Sequence, residues 1–327
     1  MPSTITHAYF AMDVYDRLPL KRKEFLFDHK NFLKISGQSM DAFFFYYVLD
    51  WKKGKKLREF GSYFHNHKVY LFFETLINYI KYNHFADDPE VMSFLYGMLC
   101  HYILDSTTHP YIVYRSGKFE KGKKETYRYN QVHGEMESMI DNYLVALREG
   151  GNPYKFRSDL FCFGSLQPFS NALKEVIDFT YKEVFHITDF SIYYEKALAK
   201  MKFFYRFVRY DPTGLKYLGY RFIDLISPKS CLRKAPLSYH IKRKENRKLL
   251  NLDHEKWCNP TDKKMVSQES FRDLYLKSLF HAVKVIQQVD QYIYEDKKVN
   301  LRRVIRNYSY LTGRDCQTER ELKFFAF

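Results

Sequence analysis

Two short patterns in this chain carry the residue types that bind metal ions. One is His101-Tyr-Ile-Leu-Asp105 with His109 just beyond it, and the other is His133-Gly-Glu-Met-Glu137, 24 residues after His109. Residues four apart on a helix share a face, so His101 and Asp105 project together, and His133 and Glu137 do the same. Imidazole nitrogen and carboxylate oxygen are the donors of zinc sites that keep open coordination positions, which suits hydrolysis better than the thiolate-rich sets of structural zinc. A single pair of this kind is equally a capped or surface pair. Two pairs with His109 between them favour a metal site. Eight of the twelve histidines fall at or before His133, which places the chemistry in the N-terminal half.

Helices must position these residues. Asp87-Asp88-Pro89-Glu90 is a strong helix start, with Asp88 as cap and Pro89 in the first turn. The apolar run through Val91, Phe94, Leu95, Met98 and Leu99 carries that helix to His101 and Asp105. Pro110 disfavours helical geometry at His109, so the helix is expected to end there; were it to continue, His101, Asp105 and His109 would line one stripe. A His and an Asp buried on such a helix need partners or a metal. A second helix over about 129–147 presents His133 and Glu137. Between the two lies a basic stretch from Arg115 to Arg128. Its Lys118, Lys121, Lys123 and Lys124 are candidates for contact with a phosphate or lipid headgroup, the plainer reading being a solvated loop.

Earlier in the chain, Ala8, Phe10, Ala11 and Val14 recur at helical spacing, with Thr4 or Thr6 as cap and His7 in the first turns. Residues 36–41 read as a loop ahead of an aromatic run, so Asp41 is a helix cap or a ligand held against an apolar wall. Residues 55–83 read as one long helix carrying His65 and His67. These lie two apart and face different ways, so at most one joins a common site.

Composition sets the frame. With 46% hydrophobic and 28% charged residues, 327 residues can bury a sizeable core. Gly and Pro are sparse, at 13 and 10, which favours helices over a turn-rich β fold. The expected architecture is all-α, a multi-helix bundle with additional C-terminal helices. Residues 1–150 would form the metal-site core and 151–327 would pack on it as one continuous domain. Two helices are expected within 165–210, an amphipathic one over 267–296, and an exposed connection over 228–248. That connection carries eight cations against Glu245 and is a candidate for nucleic-acid contact or a plain solvated loop. Net charge is +15, which favours anionic partners such as phosphates, nucleic acid or anionic lipid surfaces. No stretch reaches the ~18 apolar residues of a membrane span, and no signal segment is read. Five scattered cysteines without CxxC spacing suit a reducing compartment, so the expected location is cytoplasmic.

The order His7, Asp41, His65, His101-x3-Asp105, His109, His133-x3-Glu137 resembles the zinc-dependent phospholipase C family, whose all-helical fold with three zinc ions is shared with the P1-type nucleases. Trp257-Cys-Asn-Pro260, Ser270-Phe-Arg-Asp-Leu274 and Ser309-Tyr-Leu-Thr-Gly313 also look like elements of bacterial members. The resemblance implies that Asp41, His65, His101 and Asp105 hold one zinc, and that His109, His133 and Glu137 hold a second. It implies a third shared by His7 and Asp105, with Asp105 bridging. Secreted members complete that third site with an N-terminal Trp that this chain lacks, so two or three ions are expected. The implied activity is phosphodiester hydrolysis, of a phospholipid or a related substrate, with Asp41 as the carboxylate that positions the attacking water. The alternatives are a metal-dependent nuclease or small-molecule phosphodiesterase, and a metal-stabilised interaction protein without catalysis. An HD-type phosphohydrolase is disfavoured because no adjacent His-Asp pair occurs.

Overall fold

The computed structural model describes residues 4–46, 54–120, 122–130, 132–149, 155–207, 211, 213–228, 234–235, 247–295, 297–318 and 321–326. It is all-α apart from one short hairpin. Two helices form its axis. α1 (Thr4–Asp16) is buried on nearly every side, as expected of a helix apolar all round. α6 (Pro89–Ser116) is 28 residues long, roughly 42 Å, and its buried residues run from Val91 to Ser116. α2 (Leu20–Phe25), α3 (Lys30–Ser36), α4 (Lys55–Phe64) and α5 (Val69–Tyr82) precede α6, and α7 (Val132–Arg148) follows it. α8 (Ser158–Phe163), α9 (Asn171–Phe185), α10 (Phe190–Tyr205), α11 (Leu215–Ile226), α12 (Phe271–Tyr294) and α13 (Leu301–Val304) complete the chain. α3 and α12 pack against α6, and a continuous buried core reaches from Ile5 to Tyr310.

The start of α6 follows from its sequence: the Asp88 carboxylate accepts from the amides of Glu90 at 2.8 Å and Val91 at 3.1 Å, with Pro89 at the first position. Its end does not. Instead of stopping at His109, the helix runs through Pro110 to Ser116. Proline removes the donor that would meet the Ser106 carbonyl. There Gly313, at φ +62°, lies so close that a Cβ on it would sit 2.4 Å from that carbonyl oxygen. Apolar burial of Tyr111, Ile112 and Val113 on the far side of the proline holds the last turns. At the C-terminus Gly117 takes φ +70° beneath the Tyr129 ring, which leaves no room for a side chain.

Two other elements depart from the sequence pattern. The stretch 55–83 is two helices, not one: the chain turns after Phe64 and passes through the left-handed conformation at Lys68 before α5 begins. Residues from the far end of the chain hold this turn. The Tyr310 amide donates to the His65 carbonyl at 2.9 Å, and the Ser309 hydroxyl donates to Asn66 Oδ1 at 2.7 Å. Likewise 39–45 is a 3-10 helix, with Asp41 inside it and not at a cap. Gln38 ties this helix to α1 by donating to the Thr4 carbonyl at 3.1 Å. The hairpin of β1 (Trp257–Asn259) and β2 (Asp262–Ser267), together with α8 and α11, was not legible in the pattern. α9, α10 and α12 lie where it placed them, α12 with a capping box of Ser270 and Asp273. Most of the basic segment 228–248 lies outside the described residues.

α3 and α6 cross where Gly97 leaves no space. A Cβ there would lie 2.1 Å from Ser36 Oγ and 2.8 Å from both the Gly37 amide nitrogen and the Leu33 carbonyl oxygen. Gly97→Ala is therefore expected to cost at least the upper part of the roughly 1–3 kcal/mol typical of overpacking. A urea melt of the variant beside the wild type measures this, and an unchanged midpoint would show that the crossing is looser than described.

Candidate metal centre

Seven of the expected residues converge on the interior between α1, α6 and α7, and His133 sits at the rim, its side chain 27% exposed. α6 supplies His101, Asp105 and His109 as one stripe over two turns, since the helix persists past Pro110. α1 supplies His7, and its first turn is held against α7. The carboxylate of Asp141 accepts from the Thr6 amide at 2.8 Å, the Thr6 hydroxyl at 2.7 Å and the Ile5 amide at 3.3 Å. Neither threonine is the cap; an acid from another helix meets the exposed amides at the positive end of α1. The 3-10 helix brings Asp41 from below, the turn after α4 brings His65, and α7 adds His133 and Glu137.

The side chains form a connected chain of donors. Asp105 is its hinge: Oδ1 lies 3.1 Å from His7 Nε2 and 3.3 Å from His109 Nδ1, and Oδ2 lies 3.1 Å from His101 Nε2. Asp41 meets His65 Nε2 at 3.1 Å and His101 Nε2 at 3.6 Å. Glu137 Oε1 meets His109 Nε2 at 3.2 Å and His133 Nε2 at 2.9 Å. Two groups compact enough to surround an ion result, His7 with Asp41, His101 and Asp105, and His109 with His133 and Glu137. His65 stands beside the first group through Asp41. His67 is exposed and stacks on Tyr63, its Nδ1 donating to the Tyr63 carbonyl at 3.0 Å.

Backbone carbonyls set how the rings point. His101 Nδ1 donates to the Gly37 carbonyl at 2.9 Å, and His65 Nδ1 donates to the Gly61 carbonyl at 2.5 Å. Each bond fixes the tautomer and leaves the Nε2 lone pair aimed at the carboxylates, the arrangement seen behind metal-bound histidines. Ser116 Oγ stands 3.2 Å from His133 Nδ1. At the centre, by contrast, His7 Nδ1, His101 Nε2, His109 Nδ1, Asp41 Oδ2 and Asp105 Oδ2 are buried and make no hydrogen bond. Orphaned polar atoms at this density are costly unless something else bonds them. The donor spacings of 2.9–3.6 Å match the roughly 3.3 Å edge of a tetrahedron with metal bonds of 2.0–2.1 Å.

Electrostatics agree with that fit. Asp105 is buried, which disfavours its charge, yet His109, His101 and His7 around it hold its pKa well below the ordinary carboxylate range. Glu137 is held down in the same way, burial being outweighed chiefly by His133. Burial lowers the pKa of His7 and of His133, which favours the neutral ligand form. For His101 and His109 burial acts in the same direction but loses. Asp105 and Asp41 raise His101, and Asp105 with Glu137 raises His109 to about 9. The carboxylates therefore attract positive charge into the interior, whether as protons or as a cation.

The profile of a family described as zinc dependent phospholipase C matches residues 6–191, more than half of the chain. The chain belongs to this family. No curated protein and no solved structure matches it. Family membership makes it a zinc-dependent hydrolase, and the two donor groups fit the metal the family uses.

All the donors lie within the matched span, whereas their cover comes partly from outside it. Tyr310 closes over the centre, its ring 4.8 Å from His65 and 5.7 Å from His101. Its only trace in the sequence was the Ser309–Gly313 element, which named no role. Gly37, Gly61, Ser116 and Asp141, which orient the ligand side chains, carried no signal at all, because their contacts are long-range or through the backbone. The described lysines between α6 and α7 are not among the groups gathered at the centre. Lys118 and Lys123 both pair with the half-buried Glu120, the first at 2.7 Å, and they hold its carboxyl down at about 2. Lys124 is exposed, and Lys121 lies outside the described residues. A cleft of about 810 Å³ lies on the other face of α6, lined by Tyr102, Ser106, Pro110, Trp257 and Gly313, and includes none of the donors. The geometry separates the two histidines of the 65–67 turn: His65→Ala is expected to lower bound zinc and the melting temperature, and His67→Ala neither. Elemental analysis with a thermal melt of each variant checks it.

Proposed function

We propose that this chain is a phosphodiesterase of the phospholipase C type, which cleaves a phospholipid or a related phosphodiester and releases a phosphorylated headgroup. The observation that carries the reading is the buried chain of donors hinged on Asp105, with unsatisfied lone pairs facing one another. His7, Asp41, His65, His101 and Asp105 would hold zinc on one side, and His109, His133 and Glu137 on the other. This supports two ions; the contacts of Asp105 with both His7 and His109 suit a bridging role, and a third ion would share His7 and Asp105. Bound zinc supplies a nucleophilic hydroxide at neutral pH and neutralises charge that builds on the phosphoryl group.

The chain's own residues do the rest. Asp41 has Oδ1 turned to His65 and Oδ2 unbonded, so it can orient a water and accept its proton at Oδ2. Gly37 and Gly61 keep the imidazoles in register through their carbonyls. Tyr310 and the aromatic wall of Phe44 and Phe64 exclude bulk water on the His65 side, which strengthens every charge interaction within. The rim at His133 is the more exposed side and so the direction from which a substrate phosphate would enter. Residues 151–327 are proposed to belong to one continuous domain with 1–150, supported by the bond from Tyr310 to His65.

Metal analysis of purified protein tests this first, with two or three zinc ions expected, lost in His101→Ala and Asp105→Ala. Hydrolysis of phosphatidylcholine, single-stranded DNA and a generic phosphodiester is then compared. Phospholipid turnover is expected to lead, and both variants should lose more than the roughly 10–100-fold typical of outer-shell changes. A protein without zinc would end the proposal, and preference for DNA would replace it with the nuclease reading.

A further inference from the structure

α11 is unlike every other long helix of the chain. It has no buried residue, although half of its positions are large and apolar. Leu215, Leu218, Phe222, Leu225 and Ile226 are each more than 60% exposed. At 100° per residue these side chains, with Ile223, fill one arc of roughly 160°, and Lys216, Tyr217, Tyr220, Arg221 and Asp224 fill the opposite one. The helix is amphipathic in the usual sense, but its apolar face is turned to solvent. Phe207, just past the end of α10, is itself 63% exposed, and its carbonyl accepts from Lys216 Nζ at 2.8 Å. On the polar side Asp224 accepts from the amides of Lys234 and Ala235 at 2.8–3.0 Å, which fastens those two residues to that side of the helix.

Charge decides what covers such a face. Lys216 and Arg221 border the arc, one on each side; Lys216 Nζ is tied to the Phe207 carbonyl, while the exposed Arg221 can reach a negatively charged layer with its stem kept apolar. The sequence directly after the helix, 228–248, carries eight cations against one acid, and the chain as a whole is +15. Two such chains would repel if they met through this face, whereas an anionic bilayer attracts it. Twelve residues span about 18 Å, too short for a hydrocarbon core of roughly 30 Å, so the helix would lie in the plane of the interface. Residues 215–226 also fall outside the family match, so the feature belongs to this chain and not to the matched portion.

We propose that α11, with Phe207, is an interfacial anchor that seats the protein on an anionic phospholipid surface through the apolar arc. The choice of lipid as partner rests on the proposed phospholipid substrate, and binding is measurable without turnover. The test is sedimentation of the full-length, zinc-loaded protein with vesicles of phosphatidylcholine and phosphatidylglycerol (3:1), and with phosphatidylcholine alone. The wild type is expected to bind the mixed vesicles, to bind pure phosphatidylcholine less, and to be released by high salt. Leu218→Asp with Phe222→Asp should weaken binding at least tenfold, since each substitution replaces a large apolar side chain of the arc with a charge that a lipid layer excludes. Zinc content and hydrolysis of a soluble phosphodiester should stay unchanged in that variant. Equal binding by variant and wild type overturns the proposal. So does a wild type that ignores vesicles, including one that elutes as a dimer which the same substitutions dissociate. A protein that binds vesicles through α11 but hydrolyses no phospholipid upholds the anchor and removes the activity.

Discussion

A carboxylate surrounded by imidazoles in a space nearly free of water is stable only while its charge is answered, and Asp105 is in that position. It touches His7 from α1, and His101 and His109 from its own helix, one turn before and one turn after it. Burial pushes against its ionisation and the three imidazoles reverse that push. Glu137 is under the same tension, and the chain of donors runs on from Asp105 to His65 on one side and His133 on the other. The fold around them keeps their spacing near that of metal ligands while Asp41 Oδ2 and Asp105 Oδ2 make no hydrogen bond.

Much of the scaffold is explained by the need to hold that spacing. α6 must stay helical for a turn on either side of Asp105, so it keeps its course into Pro110 where local preference would end it. α3 must lie close enough for the Gly37 carbonyl to reach His101, so Gly97 carries no side chain. α1 must start at a set height against α7, which the bonds from Ile5 and Thr6 to Asp141 provide. None of these constraints touches a reacting atom; each fixes the direction of a group that would.

The C-terminal part of the chain contributes in a different way. Its described residues supply no donor to the centre, yet Tyr310 covers His65 and His101, Ser309 and Tyr310 hold the turn that carries His65, and Gly313 covers the carbonyl exposed by Pro110. The family match ends at 191, so these supports lie beyond the matched span although the metal centre depends on them. The exposed apolar arc of α11 lies there too.

By itself the sequence determined the helical class and the two pairs at four-residue spacing, because periodicity and the i, i+4 relation are local properties of an α-helix. Resemblance in the order of residues added His7, Asp41 and His65, which no local rule could have joined. The tertiary structure alone decided the rest. Continuation past Pro110 depends on burial of Tyr111, Ile112 and Val113, and the break after Phe64 depends on bonds to residues over 240 positions away. The choice of His65 over His67, which the resemblance implied, has its physical reason in that break, which leaves His65 buried beside Asp41 and His67 in solvent. Such choices are set by packing and hydrogen bonding between distant segments, energies that exceed local propensity and leave no periodic mark in the chain.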